Sequence, residues 1–230
     1  MASQTNTVII PRTASWIGGV SLLLIAVLAG VGNFGALTPL ITPGDALKTA
    51  ADIAAAEPQF RLGVLCMLLA AVLDIVVAAA LLRILEPVNR MVAVTAAWFR
   101  IAYTAVFVVA ISQLASVPSL LANPDLSLNA IEAYNTTWRI GLILFAGHLF
   151  LVGYLAFRAG FMPRWLGILV SIAGAGYLAD GVATILVVDY VPTISTFTFI
   201  GEVALIGWLL WKAIRATRTS SPIETARSSV

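Results

Sequence analysis

Charge is scarce in this chain. Only 10% of its 230 residues are Asp, Glu, Lys or Arg, whereas 60% are hydrophobic. A soluble globular domain carries about 25% charged residues, so this composition excludes a protein with a wetted surface and predicts the lipid bilayer as its solvent. The net charge of +2 is small and no basic run with interleaved aromatics is present, so we expect no nucleic-acid partner.

Cysteine and histidine are each represented by a single residue, Cys66 and His148. One thiol cannot form an internal disulfide, and in its apolar run Cys66 is predicted to be a small packing residue. One histidine supplies neither the paired spacing of a zinc protease nor a second imidazole for haem. No nucleophile-elbow motif indicates a hydrolase. We therefore expect no metal and no cofactor.

Long apolar runs are what the chain has instead. A membrane-spanning helix needs ~20 mostly apolar residues, and strand-like alternation competes nowhere. Six segments qualify and predict an all-α integral membrane bundle in one domain, 1–216: 15–37, 62–84, 91–113, 139–159, 164–188 and 194–214. Their interiors lack proline, which predicts continuous helices and disfavours transporters built from broken helices. Residues 217–230, rich in Ser, Thr and Arg, are predicted to be a disordered cytoplasmic tail.

Lysine and arginine predict the orientation. With the N-terminus inside, nine of them lie inside and three outside, which favours two cytoplasmic termini and a multi-pass protein of the bacterial cytoplasmic membrane. After a turn at Thr42-Pro43-Gly44-Asp45, residues 46–56 predict a short helix at the outer surface. Residues 114–138, which contain Pro118, Pro124 and several Asn, are predicted to form the second outside loop.

Five apolar segments each carry one ionisable residue near the middle: Asp74, Arg100, His148, Asp180 and Glu202. Each lies nine or ten residues from a segment end, or ~14–15 Å along a helix, which is half the ~30 Å hydrocarbon core. A charge at that depth is costly and usually paired. We therefore predict that the five side chains converge in a buried polar layer.

Charge balance suggests how these groups pair. Asp74 and Arg100 have nearly equal depth on consecutive antiparallel helices, which predicts a salt bridge. Three carboxylates against one guanidinium leave an excess of negative charge, which a protonated carboxyl or a bound cation resolves. We expect one of Asp180 and Glu202 to hold a proton near neutral pH, with His148 able to relay it.

The fifth predicted span carries two further patterns. Tyr177, Asp180 and Thr184 share one helix face, so the tyrosine and threonine either line a pocket or simply satisfy the aspartate. Small residues recur every four positions and predict close packing on another helix: Gly167, Ser171 and Ala175.

Several short motifs occur together along the chain: Gly44-Asp45, Glu57, Phe60-Arg61, Asp74, Pro87-Val88-Asn89, Phe99-Arg100, Pro163-Arg164-Trp165-Leu166-Gly167 and Gly174-x-Gly176-Tyr177-Leu178. With these motifs the chain, from Trp16 to about Trp211, resembles a family of small bacterial six-helix membrane proteins, domain of unknown function 4386. The resemblance implies a six-helix membrane protein and supplies no activity, substrate or catalytic residue.

Three functions are compatible with the polar layer. The first is proton or small-ligand binding or transport. The second is an intramembrane enzyme acting on a lipid or isoprenoid, with Asp180 or Glu202 as general acid. A pocket of four aromatic residues around the acids would favour it: Trp98, Tyr103, Tyr154 and Trp208. The third is a non-catalytic accessory subunit with a membrane-protein partner or a second copy of itself. Hydrogen-bonded glue between helices is the alternative to any site.

Overall fold

A computed structural model describes residues 12–188 and 190–215, and the secondary structure within those ranges is helical. Eight α-helices follow one another there: α1 (Arg12–Ala29), α2 (Ala46–Ala55), α3 (Glu57–Leu85), α4 (Arg90–Leu120), α5 (Pro124–Arg158), α6 (Arg164–Leu186), α7 (Ile194–Thr198) and α8 (Ile200–Arg215). In this part of the chain six helical segments are long and apolar enough to cross a membrane. The predicted all-α six-span fold is confirmed, and the predicted tail lies outside the described residues.

The six spans form a closed ring. Each packs on the next one along the chain, and α8 returns to pack on α1. Short turns at 86–89 and 159–163 make neighbouring spans antiparallel. Fully buried side chains such as Leu114, Leu149 and Leu209 fill the interior, while Trp98 and Ile185 are exposed on the outside. An apolar exterior around an apolar core is typical of a multi-pass membrane protein.

The two ends of the ring differ. We call one the terminal end, because it carries Arg12, Arg215 and the two short turns. The other is the α2 end, since α2 packs there on the neighbouring α5. The short helix predicted over 46–56 is thus present as α2. Asp45 caps it by accepting a hydrogen bond from the Lys48 N–H at 2.9 Å, and Gly44 in the preceding turn has a φ of 76°, which favours glycine.

The prediction of a loop over 114–138 is wrong, because only residues 121–123 connect α4 and α5. Pro118 lies in the last turns of α4, where the helix is about to end. Asn123 caps α5 by accepting from the Leu126 N–H at 3.4 Å, and Pro124 takes the first helical position, where its missing N–H costs nothing. The proline and asparagine residues that suggested a loop are the stop and start signals of two long helices.

The mixture of polar and apolar residues after Pro124 is an amphipathic extension of α5. One face of it is buried at helical spacing: Ser127, Ala130, Ile131 and Tyr134. Since α2 packs on α5, this extension is covered by protein and lies beyond the length that a membrane requires. The predicted span 139–159 is therefore only part of a longer helix, Pro124–Arg158.

The first and sixth spans deviate from regular α-helix at the α2 end. The first continues from α1 as a π-helix, Gly30–Leu37, and a short 3₁₀ turn, Thr38–Leu40. Gly32 lies so close to the second span that a Cβ there would lie 2.7 Å from Met67 Cε. Such π segments are uncommon and usually local.

The sixth span is divided into α7 and α8 by a turn at Phe199, whose φ and ψ are −59° and −10°. The expectation of a continuous helix, drawn from the absence of proline, is wrong here. Close contact with α6 accounts for the joint. A Cβ on Gly201 would lie 2.6 Å from the Leu169 carbonyl carbon, and a Cβ on Gly176 would lie 2.9 Å from Thr198 Cβ. Both pieces therefore press directly on α6.

Candidate functional site

Three of the predicted polar residues form one hydrogen-bonded group inside the ring. Asp74 on α3, Arg100 on α4 and His148 on α5 are all buried. They lie ten or eleven residues from the helix ends at the terminal end, about 15–17 Å along each helix. Arg100 Nη2 donates to Asp74 Oδ1, so the predicted salt bridge is confirmed. Arg100 Nη1 lies 3.1 Å from His148 Nε2.

These contacts define the tautomer of His148. A guanidinium can only donate hydrogen bonds, so Nε2 of His148 accepts from Arg100. The other ring nitrogen, Nδ1, then carries the proton and donates to the Ala96 carbonyl at 2.9 Å. The imidazole is neutral, and taking a second proton would remove its bond to Arg100. This arrangement does not support the proton relay predicted for His148.

Arg100 also has an unused donor. Its guanidinium carbon lies 5.3 Å from the centre of the Phe145 ring, and Phe145 packs on Tyr103 with ring centres 4.9 Å apart. Within 12–188 and 190–215, the buried Nε of Arg100 has no hydrogen-bond acceptor. A buried donor without a partner costs about 1–3 kcal/mol, and more when it is charged. Among the described residues, the buried group therefore lacks a hydrogen-bond acceptor for Arg100 Nε.

Glu202 faces this group from the other side of the ring. Tyr177 on α6 donates its hydroxyl proton to Glu202 Oε1 at 2.7 Å, and the Tyr177 ring contacts Phe145 edge-on at 5.4 Å. Glu202 is half-buried and close enough to Arg100 and Asp74 to interact with their charges. It also lies in the first turn of α8, where the helix dipole favours negative charge.

Asp180 is not brought to the other four. It lies six residues before the end of α6 at Leu186, about 9 Å from the α2 end. Its carboxylate accepts from the Tyr190 hydroxyl at 2.6 Å and from the N–H groups of Ile194 and Ser195 at 3.2 and 2.8 Å. Asp180 therefore anchors the start of α7. Among the described residues, the two carboxyls that were expected to carry the exchangeable proton, Asp180 and Glu202, share no hydrogen bond.

The aromatic pocket expected of an intramembrane enzyme does not form. Trp98 and Tyr154 are exposed on the outside of the ring, and Trp208 is buried beneath Lys212, whose Nζ lies 5.8 Å from its ring. Of the four aromatic residues, Tyr103 alone belongs to the polar group. In the described ranges no three His, Cys, Asp or Glu side chains converge on a possible metal position.

Sequence reasoning named Tyr103 only as a wall of an aromatic pocket around the acids, and it missed Phe145 beside Arg100. Tyr103 follows Arg100 by three residues, and Phe145 precedes His148 by three, so each pair shares a helix face. That spacing would have found both. No comparable signal identifies Tyr190 as a partner of Asp180, because Tyr190 lies in the connection after α6, where no helical period operates.

The ring of spans and its buried charges define a multi-pass six-helix membrane protein. The chain belongs to the family described as Domain of unknown function (DUF4386), which matches residues 17–213. It is similar to an uncharacterized protein of Archaeoglobus fulgidus, with 33% identity over 150 residues, 65% of this chain and 83% of that protein. No solved structure matches the chain. The family resemblance seen in the sequence is confirmed, and it assigns no reaction.

Proposed function

We propose that this protein binds an exchangeable proton at Glu202, near the middle of the membrane. The observation that carries the proposal is that this carboxyl has no charged group in direct contact among the described residues, although the start of α8 and the more distant Arg100 favour its anion. In the described part of the chain it forms no ion pair within 4.0 Å, and its hydrogen bond comes from the neutral hydroxyl of Tyr177. A lone carboxylate with one neutral donor is costly in a membrane, whereas a protonated carboxyl is not.

The other two buried carboxyls are satisfied as anions. Asp74 is neutralised by Arg100, and Asp180 accepts three hydrogen bonds, two of them from backbone N–H groups. Glu202 is therefore the carboxyl at which a proton relieves the most electrostatic cost. This narrows the sequence-based expectation, which left Asp180 and Glu202 equal, to one residue.

The unused donor of Arg100 supplies the second state. When Glu202 loses its proton, the carboxylate gains from the nearby guanidinium, whose Nε–H lacks an acceptor among the described residues. Loss of the proton then exchanges a Glu202–Tyr177 contact for attraction between the Glu202 carboxylate and Arg100. The joint at Phe199, three residues before Glu202, lets α8 make that adjustment while α7 stays anchored to Asp180.

Infrared difference spectroscopy tests the proposal. In the purified protein in lipid, we expect a pH-dependent C=O band of a protonated carboxyl that disappears in Glu202→Gln. The matched control is Glu132→Gln, the same chemical change at an exposed position of α5, which should leave the band in place. Absence of the band from the wild type, or its persistence in Glu202→Gln, would overturn the proposal.

A small ligand with an acceptor atom is the second candidate, because Arg100 Nε would satisfy it. Mass spectrometry of the protein extracted from its native membrane distinguishes the two. A co-purifying small molecule that is lost in Arg100→Lys, with the Glu202 band unchanged, would favour the ligand. Absence of any such molecule would leave the proton as the better explanation.

We also propose that both termini are cytoplasmic and that, in a bacterial cell, the protein lies in the cytoplasmic membrane. Basic side chains of the described helices cluster at the terminal end, as a cytoplasmic face requires: Arg83, Arg90, Arg158, Arg164, Lys212 and Arg215. In a Cys66→Ser background, a membrane-impermeant maleimide should label Asp125→Cys in intact cells and Gly160→Cys only after permeabilisation. The reverse pattern would invert the orientation.

A further inference from the structure

A groove of about 420 Å³ runs along the outside of the ring between α5 and α6. Its walls are Tyr154 and Phe157 on one helix and Ile168 and Ile172 on the other, all exposed. Along α6 the groove extends from Gly167 to Ala175, or about 12 Å. Its volume falls within the range of pockets that hold small molecules, about 300–1,000 Å³.

Two glycines make the groove a fixed part of the fold. A Cβ on Gly167 would lie 2.6 Å from the Gly153 carbonyl oxygen and 2.6 Å from the Phe157 nitrogen. The two backbones therefore touch at this point, as small residues permit between membrane helices. The side chains on either side of the crossing splay apart and leave the apolar channel. This confirms the close contact predicted at Gly167 and Ser171, whereas Ala175 is exposed and lines the groove.

Positive charge gathers at one end of the groove. The Arg158 guanidinium lies 5.8 Å from the Tyr154 ring, and the Arg164 guanidinium lies 5.5 Å from the Phe157 ring. Each arginine is thus stacked on a wall of the groove. Over 12–188 and 190–215, neither has a carboxylate within 4.0 Å. Trp165, exposed beside Arg164, is a side chain typical of the membrane–water interface.

A second groove, between α3 and α4, provides an internal comparison. It measures about 200 Å³ and is lined by Phe60, Leu68, Leu114 and other apolar residues around one cation, Arg61. That cation is already neutralised, since Arg61 Nε lies 2.7 Å from Glu57 Oε1. Both grooves thus lie beside arginine, but of the two it is the α5–α6 groove whose arginines have no carboxylate partner among the described residues.

We propose that the α5–α6 groove binds one anionic glycerophospholipid. An acyl chain lies along Ile168 and Ile172, and the headgroup phosphate lies between Arg158 and Arg164. Guanidinium groups bind phosphate with paired hydrogen bonds, and basic pockets between membrane helices are known to hold anionic headgroups. The site is on the outer surface of the ring and is independent of proton binding at Glu202.

Native mass spectrometry of the purified full chain tests this site, with dioleoyl phosphatidylglycerol as probe and dioleoyl phosphatidylcholine as reference. We expect a preference for phosphatidylglycerol that Arg158→Gln/Arg164→Gln weakens by about 30-fold, which corresponds to about 1 kcal/mol per arginine. Arg61→Gln is the matched control and should leave the affinity unchanged. Arg158→Lys/Arg164→Lys retains the charges and topology, and should lose less than the glutamine variant.

A variant that keeps both arginines tests the channel itself. Ala175→Leu narrows the groove at its far end and should reduce binding of phosphatidylglycerol. Equal affinity for the two lipids in the wild type, or equal affinity in the wild type and the glutamine variant, would overturn the proposal. So would a dimer that Ala175→Leu dissociates while phosphatidylglycerol has no effect, because the occupant would then be a second copy of the chain.

Discussion

Arg100 donates a hydrogen bond to His148 across 3.1 Å in the interior of the bundle, so two side chains that are both basic are partners. The contact is possible because His148 is neutral and because the Ala96 carbonyl fixes its proton on Nδ1. His148 is then a buried acceptor that stabilises the guanidinium in the interior of the bundle. His148 therefore supports Arg100 structurally, and the guanidinium has a second hydrogen-bond acceptor besides Asp74.

We predict that ¹⁵N NMR of His148 reports one protonated ring nitrogen, Nδ1. His148→Leu should lower the free energy of unfolding by about 1–3 kcal/mol, because an Arg100 donor loses its acceptor. His148→Gln, which retains an acceptor oxygen, should lose less. A doubly protonated imidazole, or equal losses in the two variants, would contradict this assignment.

The Asp74–Arg100 pair should behave as a buried ion pair. Asp74→Asn and Arg100→Gln each leave an uncompensated charge, so we expect each to lower the stability by about 3–5 kcal/mol. The double variant should lose clearly less than the sum, as a double-mutant cycle of unfolding in detergent would measure. The exposed pair Glu57–Arg61 is the control, and the same cycle there should give a coupling below about 1 kcal/mol. Additive losses at Asp74 and Arg100 would show that the two do not interact.

Asp180 should hold the start of α7 in place. In Asp180→Ala we expect the amides of Ile194 and Ser195 to exchange with deuterium about tenfold to a hundredfold faster, since hydrogen bonds to a charged group are worth roughly 1.5–3 kcal/mol. Thr184→Ala is a suitable control, because the Thr184 hydroxyl donates to the Asp180 backbone carbonyl and leaves the carboxylate untouched. Unchanged exchange at both amides would argue against the anchor.

Tyr190 provides a pH-dependent readout of the same anchor. Its hydroxyl donates to Asp180, and this hydrogen bond raises the pKa of the Tyr190 phenol above its usual value of 10.0. Since the folded-state pKa is raised, the contribution to stability is complete below pH 10 and is lost as the pH rises through the higher value. An ultraviolet titration, with Tyr190→Phe to identify the signal, should show the pKa falling in Asp180→Asn. An unaltered pKa there would refute the link.

The crossing of α5 and α6 should tolerate no added methyl group. Gly167→Ala places a Cβ against backbone atoms that cannot rotate away, so we expect a loss of about 1–3 kcal/mol in thermal unfolding. Gly207→Ala in α8 meets nothing within 4 Å and should be neutral or gain up to about 1 kcal/mol in helix propensity. If the two variants were equally stable, the backbone contact would not be as close as described.

The membrane fold and one of the site's contacts could be predicted from the sequence alone. Spans follow from apolar length, and the Asp74–Arg100 pair follows from equal depth on consecutive antiparallel helices. Depth along a helix is counted from the helix end, however, so it is correct only when that end is predicted correctly. Asp180 was placed too deep because α6 stops at Leu186, two residues before the predicted boundary, and because the chain then folds back over it.

At the α2 end, residues that mark the ends of helices were also interpreted as signs of a loop. Pro118 and Asn123 indicated a loop, although proline near a helix end and asparagine before a helix are equally typical of two helices that meet. No signal in the sequence predicted the joint at Phe199. It arises from tertiary contact, because Gly176 and Gly201 let α6 approach both halves of the last span.

Closure of the ring through α1 and α8 has a consequence for biosynthesis. The first of the six spans packs on the last one, and Gly19 of α1 lies so close that an added Cβ would be 2.8 Å from Leu210 Cδ2. Before α8 is synthesised, the incomplete bundle therefore has a gap beside α1. The Tyr177 hydroxyl then lacks its acceptor, Glu202. A chain that stalls before α8 therefore exposes the Tyr177 hydroxyl to lipid without its acceptor.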